Sequence, residues 1–302
     1  MQQSKHYLAA FLAFFIWGFF SLGLKPISYV NSFDILFYRI SFAAVFILLF
    51  MGFFQYKLIK KDFQTFTKLS SEYRRKTIFL TLIGAVFLGL NWFLFIFVVN
   101  KINVQSASFA YLICPIITAF LANIILKEDL KKHQWMAICI SFTGCVIYFF
   151  TNSSHLLYAV IIAASYSFYL ISQRSNIFLE KFTILAIQIL LIFFVILPYF
   201  LIKGFYIPKY VSFYAYATII ALLFTLVPLY LNLFALKGAK ASTVGIMLYI
   251  NPIITLIIAV YYYKEAVNVF QIASYLLILC SIVIYNKDYI IRKQPPIIKD
   301  LQ

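Results

Sequence analysis

Acidic residues are scarce in this chain of 302 residues, with nine Asp and Glu against 25 Lys and Arg, and charged residues of both signs make up 11% of it. A soluble domain is about one quarter charged and about half apolar, whereas this chain is 64% hydrophobic and 20% aromatic. A folded globule needs more polar surface than that, so a single soluble core is excluded and a lipid bilayer is the expected surrounding. Histidine is almost missing: His6, His133 and His155 all stand at the ends of apolar runs. With no nucleophile and base, paired carboxylates or metal ligands inside a run, an intramembrane enzyme is not expected. The four cysteines, Cys114, Cys139, Cys145 and Cys280, lie within apolar runs without C-x-x-C or Cys/His spacing. They read as packing residues, with neither a disulfide nor a metal site expected. No G-x-x-x-x-G-K-[ST] loop is present, which excludes ATP hydrolysis by that route. No acid falls in the middle of an apolar run, so no buried carboxylate relay is visible. No cofactor is expected.

Long apolar runs are what the chain has in abundance. A spanning helix needs roughly 20 mostly apolar residues, and ten stretches qualify, at 7–28, 35–54, 77–99, 104–126, 134–150, 156–172, 182–202, 210–236, 241–263 and 267–285. The first run is too long for the core of a signal peptide and lacks an A-x-A cleavage site, so it reads as a retained helix. With the N-terminus inside, nineteen of the 25 Lys and Arg fall in cytoplasmic segments, five fall outside and Arg39 lies within a run. Both termini are therefore expected in the cytoplasm. The net charge of +16 reads as topology, with no nucleic-acid partner.

The chain also repeats itself. "ICPIITAFLANIILKED" at 113–129 is echoed by "INPIITLIIAVYYYKEA" at 250–266, and over 36 positions from Ile113 and Ile250 there are 12 identities at an offset of 137. They include Pro115/Pro252, Lys127/Lys264, Glu128/Glu265 and Gln134/Gln271. A weaker match sets "FFIWGFFSLGLK" at 14–25 beside "AASYSFYLISQR" at 163–174, at an offset of 149. Two halves, 1–150 and 151–302, then hold five spans each, and an odd number of spans per repeat inverts the second half relative to the first. The expected fold is an all-α integral membrane protein of ten transmembrane helices in two inverted repeats. Alternating access of a central site is the physical use of such symmetry, though dual-topology ancestry could leave the same repeat in a protein that transports nothing.

Pro115 and Pro252 sit inside apolar runs, where each frees the carbonyl four residues earlier, that of Tyr111 or Leu248. They are either packing kinks or paired hinges beside a substrate path. Tyr111, Pro115, Thr118 and Ala122 share one helical face, as do Tyr249, Pro252, Thr255 and Ala259, with Cys114 and Asn251 adjoining; such a stripe is either cavity lining or close-packing surface. Arg39, roughly one turn inside the second run with Tyr38 beside it, either snorkels to the outer surface or faces a cavity and docks an anionic group. The amides of Asn91 and Asn232 need partners on a neighbouring helix or a wet pocket. Trp17, Trp92, Tyr166 and Tyr169 are candidate aromatic walls.

These residues resemble the drug/metabolite transporter (DMT) superfamily, specifically its EamA family and the RarD-type permeases. The resemblance rests on "FFIWGFF" at 14–20, "FDILFYR" at 33–39, "LGLNWFLFIFVVN" at 88–100, "SASFAYLICPII" at 106–117 and "MLYINPIITLIIAVYYYKE" at 247–265, in order along nearly the whole chain. It implies two inverted five-helix EamA-type repeats, a bacterial inner (plasma) membrane location and movement of small organic solutes through a central cavity near Trp17, Arg39, Asn91, Trp92, Tyr111 and Tyr249. The chain departs from the family pattern at Cys114, where an amide is expected, and at Tyr38, where a histidine is expected, which bears on substrate more than on fold. The leading expectation is a permease for amino-acid-like or aromatic metabolites, with export one direction. A non-transporting assembly or sensor subunit is the alternative, and a cavity filled with side chains would favour it.

Overall fold

The computed structural model describes residues 2–151, 156–264, 268–285 and 287–288. His155, Glu265 and the basic tail residues Arg292, Lys293 and Lys299 lie outside them. The described residues form helices and no strand. In chain order these are α1 (Gln2–Gly18), α2 (Phe20–Leu24), α3 (Ser32–Phe54), α4 (Tyr56–Lys68), α5 (Ser71–Lys101), α6 (Val104–Ile125), α7 (Lys132–Thr151), α8 (Leu156–Ser175), α9 (Lys181–Lys203), α10 (Val211–Ala221), α11 (Val227–Gly238), α12 (Ala241–Met247), α13 (Ile250–Tyr261) and α14 (Val269–Tyr285). Side-chain oxygens set several starts: Asn31 accepts from the Phe33 N–H at 2.9 Å and Asn103 from Ser106 at 2.6 Å. Each satisfies an amide that the first helical turn leaves free.

Among the described residues seven spans are long and apolar enough to cross a bilayer, and α1 with α2 makes an eighth across a 41° bend. Two of the seven are composite. A π-helical segment, Leu222–Leu226, joins α10 to α11, and α12 runs into α13 through Leu248 and Tyr249. The two remaining expected spans correspond to α8, 20 residues with a polar C-terminal end, and α14, 17 residues. The sequence reading missed α4 altogether. Its "YKLIKKDFQTFTK" is too polar to span, yet it is amphipathic, and Asp62 docks it by accepting from the Glu180 N–H and the Thr183 hydroxyl at the start of α9.

The internal echo has a backbone counterpart. Lys127 and Lys264 both adopt positive φ, 53° and 56°, where α6 and α13 end, the left-handed geometry that terminates helices. Gln134 accepts from the Lys131 N–H and Gln271 from the Asn268 N–H, each at 2.9 Å. These are the same reach-back caps at equivalent helix starts. The helices they start, α7 and α14, pack along each other, with Ser141 bonded to Ser281 and Ser274 to the Gly144 carbonyl, both at 2.6 Å. A Cβ on Gly144 would meet the Ser274 carbonyl oxygen at 3.1 Å, so the glycine is what permits this approach. The bounds of α3 and α9 also differ by 149 at both ends, the offset of the weaker echo.

Candidate functional site

A small cavity lies among helices of both halves of the chain. Its wall comprises Phe14, Trp17, Phe20, Arg39, Asn91, Trp92, Phe95, Tyr111, Tyr166, Leu248 and Asn251. Its free volume is about 30 Å³, room for a water molecule or two and far short of the few hundred Å³ of ordinary ligand pockets. Seven candidates from the sequence meet here: Trp17, Arg39, Asn91, Trp92, Tyr111, Tyr166 and Asn251.

Arg39 is 3% exposed, so it does not snorkel to the surface. Its Nε donates to the Thr225 hydroxyl at 2.7 Å, and the guanidinium lies 4.5 Å from the ring centroid of Trp92 and 5.1 Å from that of Phe20. Among the described residues no carboxylate pairs with it, Asp34 included. Ring faces attract a cation through their quadrupole, more strongly when water is excluded, but they do not neutralise it.

The amides and phenols around the arginine are braced from several helices. Asn91 donates to the Ile162 carbonyl at 2.9 Å and to Ser165 at 3.4 Å, while its Oδ1 accepts from Tyr111 at 3.2 Å, tying α5 to α6 and α8. Tyr166 meets Trp17 and Tyr111 edge-on, each at 6.0 Å between centroids. Asn251 lies 3.1 Å from the Thr255 hydroxyl, which is also 3.1 Å from the Gly18 carbonyl at the bend of the first span.

Five candidates and both prolines lie off the wall. Tyr38 points to the opposite side of α3, donating to the Tyr206 carbonyl at 2.8 Å in a ring cluster with Phe213 and Tyr214. Cys114 is buried between α6 and α8, 3.3 Å from Ser167 Oγ. Asn232 stands behind the wall, donating to Tyr166 at 3.1 Å. Tyr249 is fully buried one residue past Leu248, and Tyr169 packs on Tyr166 from behind, 5.8 Å between centroids. Pro115 sits inside α6, which continues through it, whereas Pro252 follows the break between α12 and α13.

The sequence reading overlooked the π-helical segment. Pro228 has no N–H to offer the carbonyl four residues back, that of Phe224, and Trp17 Nε1 donates to that oxygen at 2.9 Å. The next residue, Thr225, holds Arg39 and donates in turn to the Ile220 carbonyl at 2.8 Å. One helix irregularity thus anchors both a ring and the charge of the cavity, a common use of π-bulges. The signal was available, because the rule applied to Pro115 and Pro252 applies equally to Pro228.

Comparison with known proteins extends this description. The model of the EamA-like transporter family matches twice, over residues 4–150 and 153–287. Protein RarD of Escherichia coli (strain K12) is 28% identical over 298 residues, covering 96% of each chain. The uncharacterized transporter YojE of Bacillus subtilis (strain 168) is 28% identical over 267 residues, covering 87% of each chain. A solved crystal structure of a protein 12% identical superposes with a TM-score of 0.69 over 93% of this chain and 96% of the other, which shows a shared fold.

Proposed function

Because the chain belongs to the EamA-like transporter family, a family of membrane transporters rather than enzymes, we propose that it is a permease moving small organic metabolites by alternating access, with the cavity as its substrate path. The observation that carries this reading is where the cavity sits. Three interruptions of helical structure border it: the bend after Gly18, the π-helical segment at Leu222–Leu226, and the break at Leu248 and Tyr249. Broken helices are where a packed bundle can bend without losing its spans, and where transporters place substrate groups. The two family-matched repeats are inverted relative to each other, so rocking one against the other exposes the path to either side. The ten spans, the cytoplasmic placement of both termini and the bacterial inner-membrane location are parts of the same proposal and rest, in turn, on the apolar runs, on the distribution of Lys and Arg and on the family. On the side read as cytoplasmic, Glu128 at the end of α6 accepts from the Ala241 and Ser242 N–H groups at 2.9 and 3.2 Å. A carboxylate on a helix start is favourable in both charge and hydrogen bonding, which makes this contact a latch for that side.

A non-transporting assembly or sensor subunit is the second reading, and the small free volume of the cavity favours it. Reconstituted protein assayed with a panel of amino acids, organic acids and neutral metabolites, with and without a proton gradient, separates the two. Saturable flux of one class supports the permease. No flux of any solute, from protein that melts cooperatively, transfers the proposal to the non-transporting reading.

A further inference from the structure

Among the described residues Arg39 is the one charged group on the cavity wall, and no Asp or Glu lines it. Its Nε is bonded to Thr225, while its two terminal amino groups make no hydrogen bond to the described residues. A guanidinium offers five donors in a planar fork, so most of its capacity is unused. The neighbouring polar groups add no charge, and Tyr111, which spends its proton on Asn91, offers its hydroxyl oxygen only as a neutral acceptor. Tyr166 accepts from Asn232 through its hydroxyl oxygen and keeps its own proton, Asn251 has its Oδ1 against Thr255, and Asn91 has both ends engaged. An unpaired buried cation is costly relative to a compensated one, and nothing in the wall supplies the compensating charge. The rest of the wall is dominated by rings: Phe14, Trp17, Phe20, Trp92, Phe95 and Tyr111.

Resting on the permease reading, we propose that the cavity selects an aromatic monoanion, a single carboxylate or sulfonate on an aromatic body without an amine. The anionic group accepts from both terminal amino groups of Arg39 as a bidentate pair, and the ring enters among the edge-on aromatics. A free ammonium group on the solute meets like charge and no carboxylate, which disfavours amines outright and zwitterions in part. Binding requires the cavity to swell about tenfold toward ordinary pocket volumes, and the neighbouring bend, π-helical segment and helix break supply the give.

The test uses the full chain in proteoliposomes with four probes: phenylacetate, benzenesulfonate, L-phenylalanine and phenethylamine. The chain has three tryptophans, of which Trp17 and Trp92 line the cavity and Trp135 is exposed on α7; a Trp135→Phe variant therefore reports binding from the cavity pair alone. The expected result is saturable quenching and uptake for the two anions, on the order of tenfold weaker for L-phenylalanine and absent for phenethylamine. Arg39→Lys, which keeps the charge and loses the fork, is expected to weaken anion binding on the order of tenfold with an unchanged melting transition. Thr225→Val, which frees the guanidinium from its tether, is expected to weaken it less. Equal or tighter handling of phenethylamine or L-phenylalanine overturns the charge selection and leaves the permease reading in place. Neither quenching nor uptake with any of the four, from cooperatively melting protein, overturns the inference, and the wider solute panel then decides whether the permease reading falls with it.

Discussion

Two contacts related by the internal repeat show how similar sequence yields different structure. Thr118 and Thr255 are equivalent at the offset of 137, and Gly18 and Ser167 at 149. On one side Thr118 donates to Ser167 Oγ at 3.0 Å, Ser167 lies 3.1 Å from the Cys114 carbonyl, and α6 passes through Pro115 intact. On the other, Gly18 offers no side chain, and the Thr255 hydroxyl lies 3.1 Å from its carbonyl, where the first span bends by 41°. Around Pro252 the backbone tightens into bonds three residues apart, from Leu248 to the Gly245 carbonyl at 3.1 Å and from Asn251 to the Leu248 carbonyl at 3.0 Å, which interrupts the α-helical ladder while the span continues. A proline inside a span therefore does not decide whether the helix stays whole. What differs around the two prolines is the partner: Ser167 reaches the Cys114 carbonyl beside Pro115, whereas Gly18 has no side chain to offer beside Pro252.

The consequence reaches the cavity, where equivalent positions face each other with different chemistry. Trp17 is equivalent to Tyr166 and Tyr111 to Leu248, and all four line the wall. Cys114 is equivalent to Asn251, and only Asn251 lines it. Arg39 on α3 has Gln188 on α9 as its equivalent. Gln188 is also fully buried, but its Nε2 donates to the Thr81 carbonyl at 3.3 Å, away from the cavity. The charge thus belongs to one half only, and the site is lopsided although its scaffold is duplicated.

The largest test of this comparison is transport by the two proline variants. Pro252→Ala restores an N–H for the Leu248 carbonyl and lets α12 and α13 join; flux in proteoliposomes is expected to fall on the order of tenfold or more, as hinge positions predict. Pro115→Ala, in a helix that is already whole, is expected to stay within about twofold. Similar losses in both would show that the break is not what distinguishes the halves. Next is Gly18→Val: a Cβ there would meet Ile254 Cβ at 2.6 Å, and overpacking of that kind costs about 1–3 kcal/mol, read as a lowered melting temperature in detergent. Ile254→Ala in the same chain is expected to recover part of the loss, and no recovery would place the strain elsewhere. Thr118→Val and Thr255→Val each remove one buried hydroxyl, for about 1 kcal/mol apiece by thermal melting. Only the second is expected to alter flux as well, because Thr255 adjoins Asn251 on the wall. The smallest effects come where the halves agree: Gln134→Ala and Gln271→Ala each lose one reach-back cap, for about 0.5–1 kcal/mol. Unequal losses there would mean that the caps differ in ways their matching 2.9 Å bonds conceal.

Much of the fold was legible because membrane helices announce themselves by length and hydropathy. α4 was not, since its apolar residues alternate with lysines and gain meaning only against Asp62 and the start of α9. The candidate site was legible in part. Polar residues in apolar runs were easy to find, but Asn91 and Asn232 look alike in sequence, and only the first reaches the wall. Tyr38 and Arg39 are neighbours in the chain whose side chains point to different sides of α3. Rotation of a helix about its axis is set by packing, which periodicity in an almost uniformly apolar run does not encode.

By itself the sequence determined that this chain lives in a membrane, that it is built of helices, that its core is written twice, and that it carries one arginine where lipid would not tolerate it. Composition and offset suffice for these, because desolvating a charge or an unpaired backbone group is costly wherever it happens. Only the tertiary structure decided which proline interrupts its helix, that Phe224 and Thr225 anchor Trp17 and Arg39, and that the cavity wall, among the described residues, holds a cation and no acid. Those outcomes depend on which groups from distant segments arrive within about 3 Å of one another, and that distance is settled only when the two halves pack.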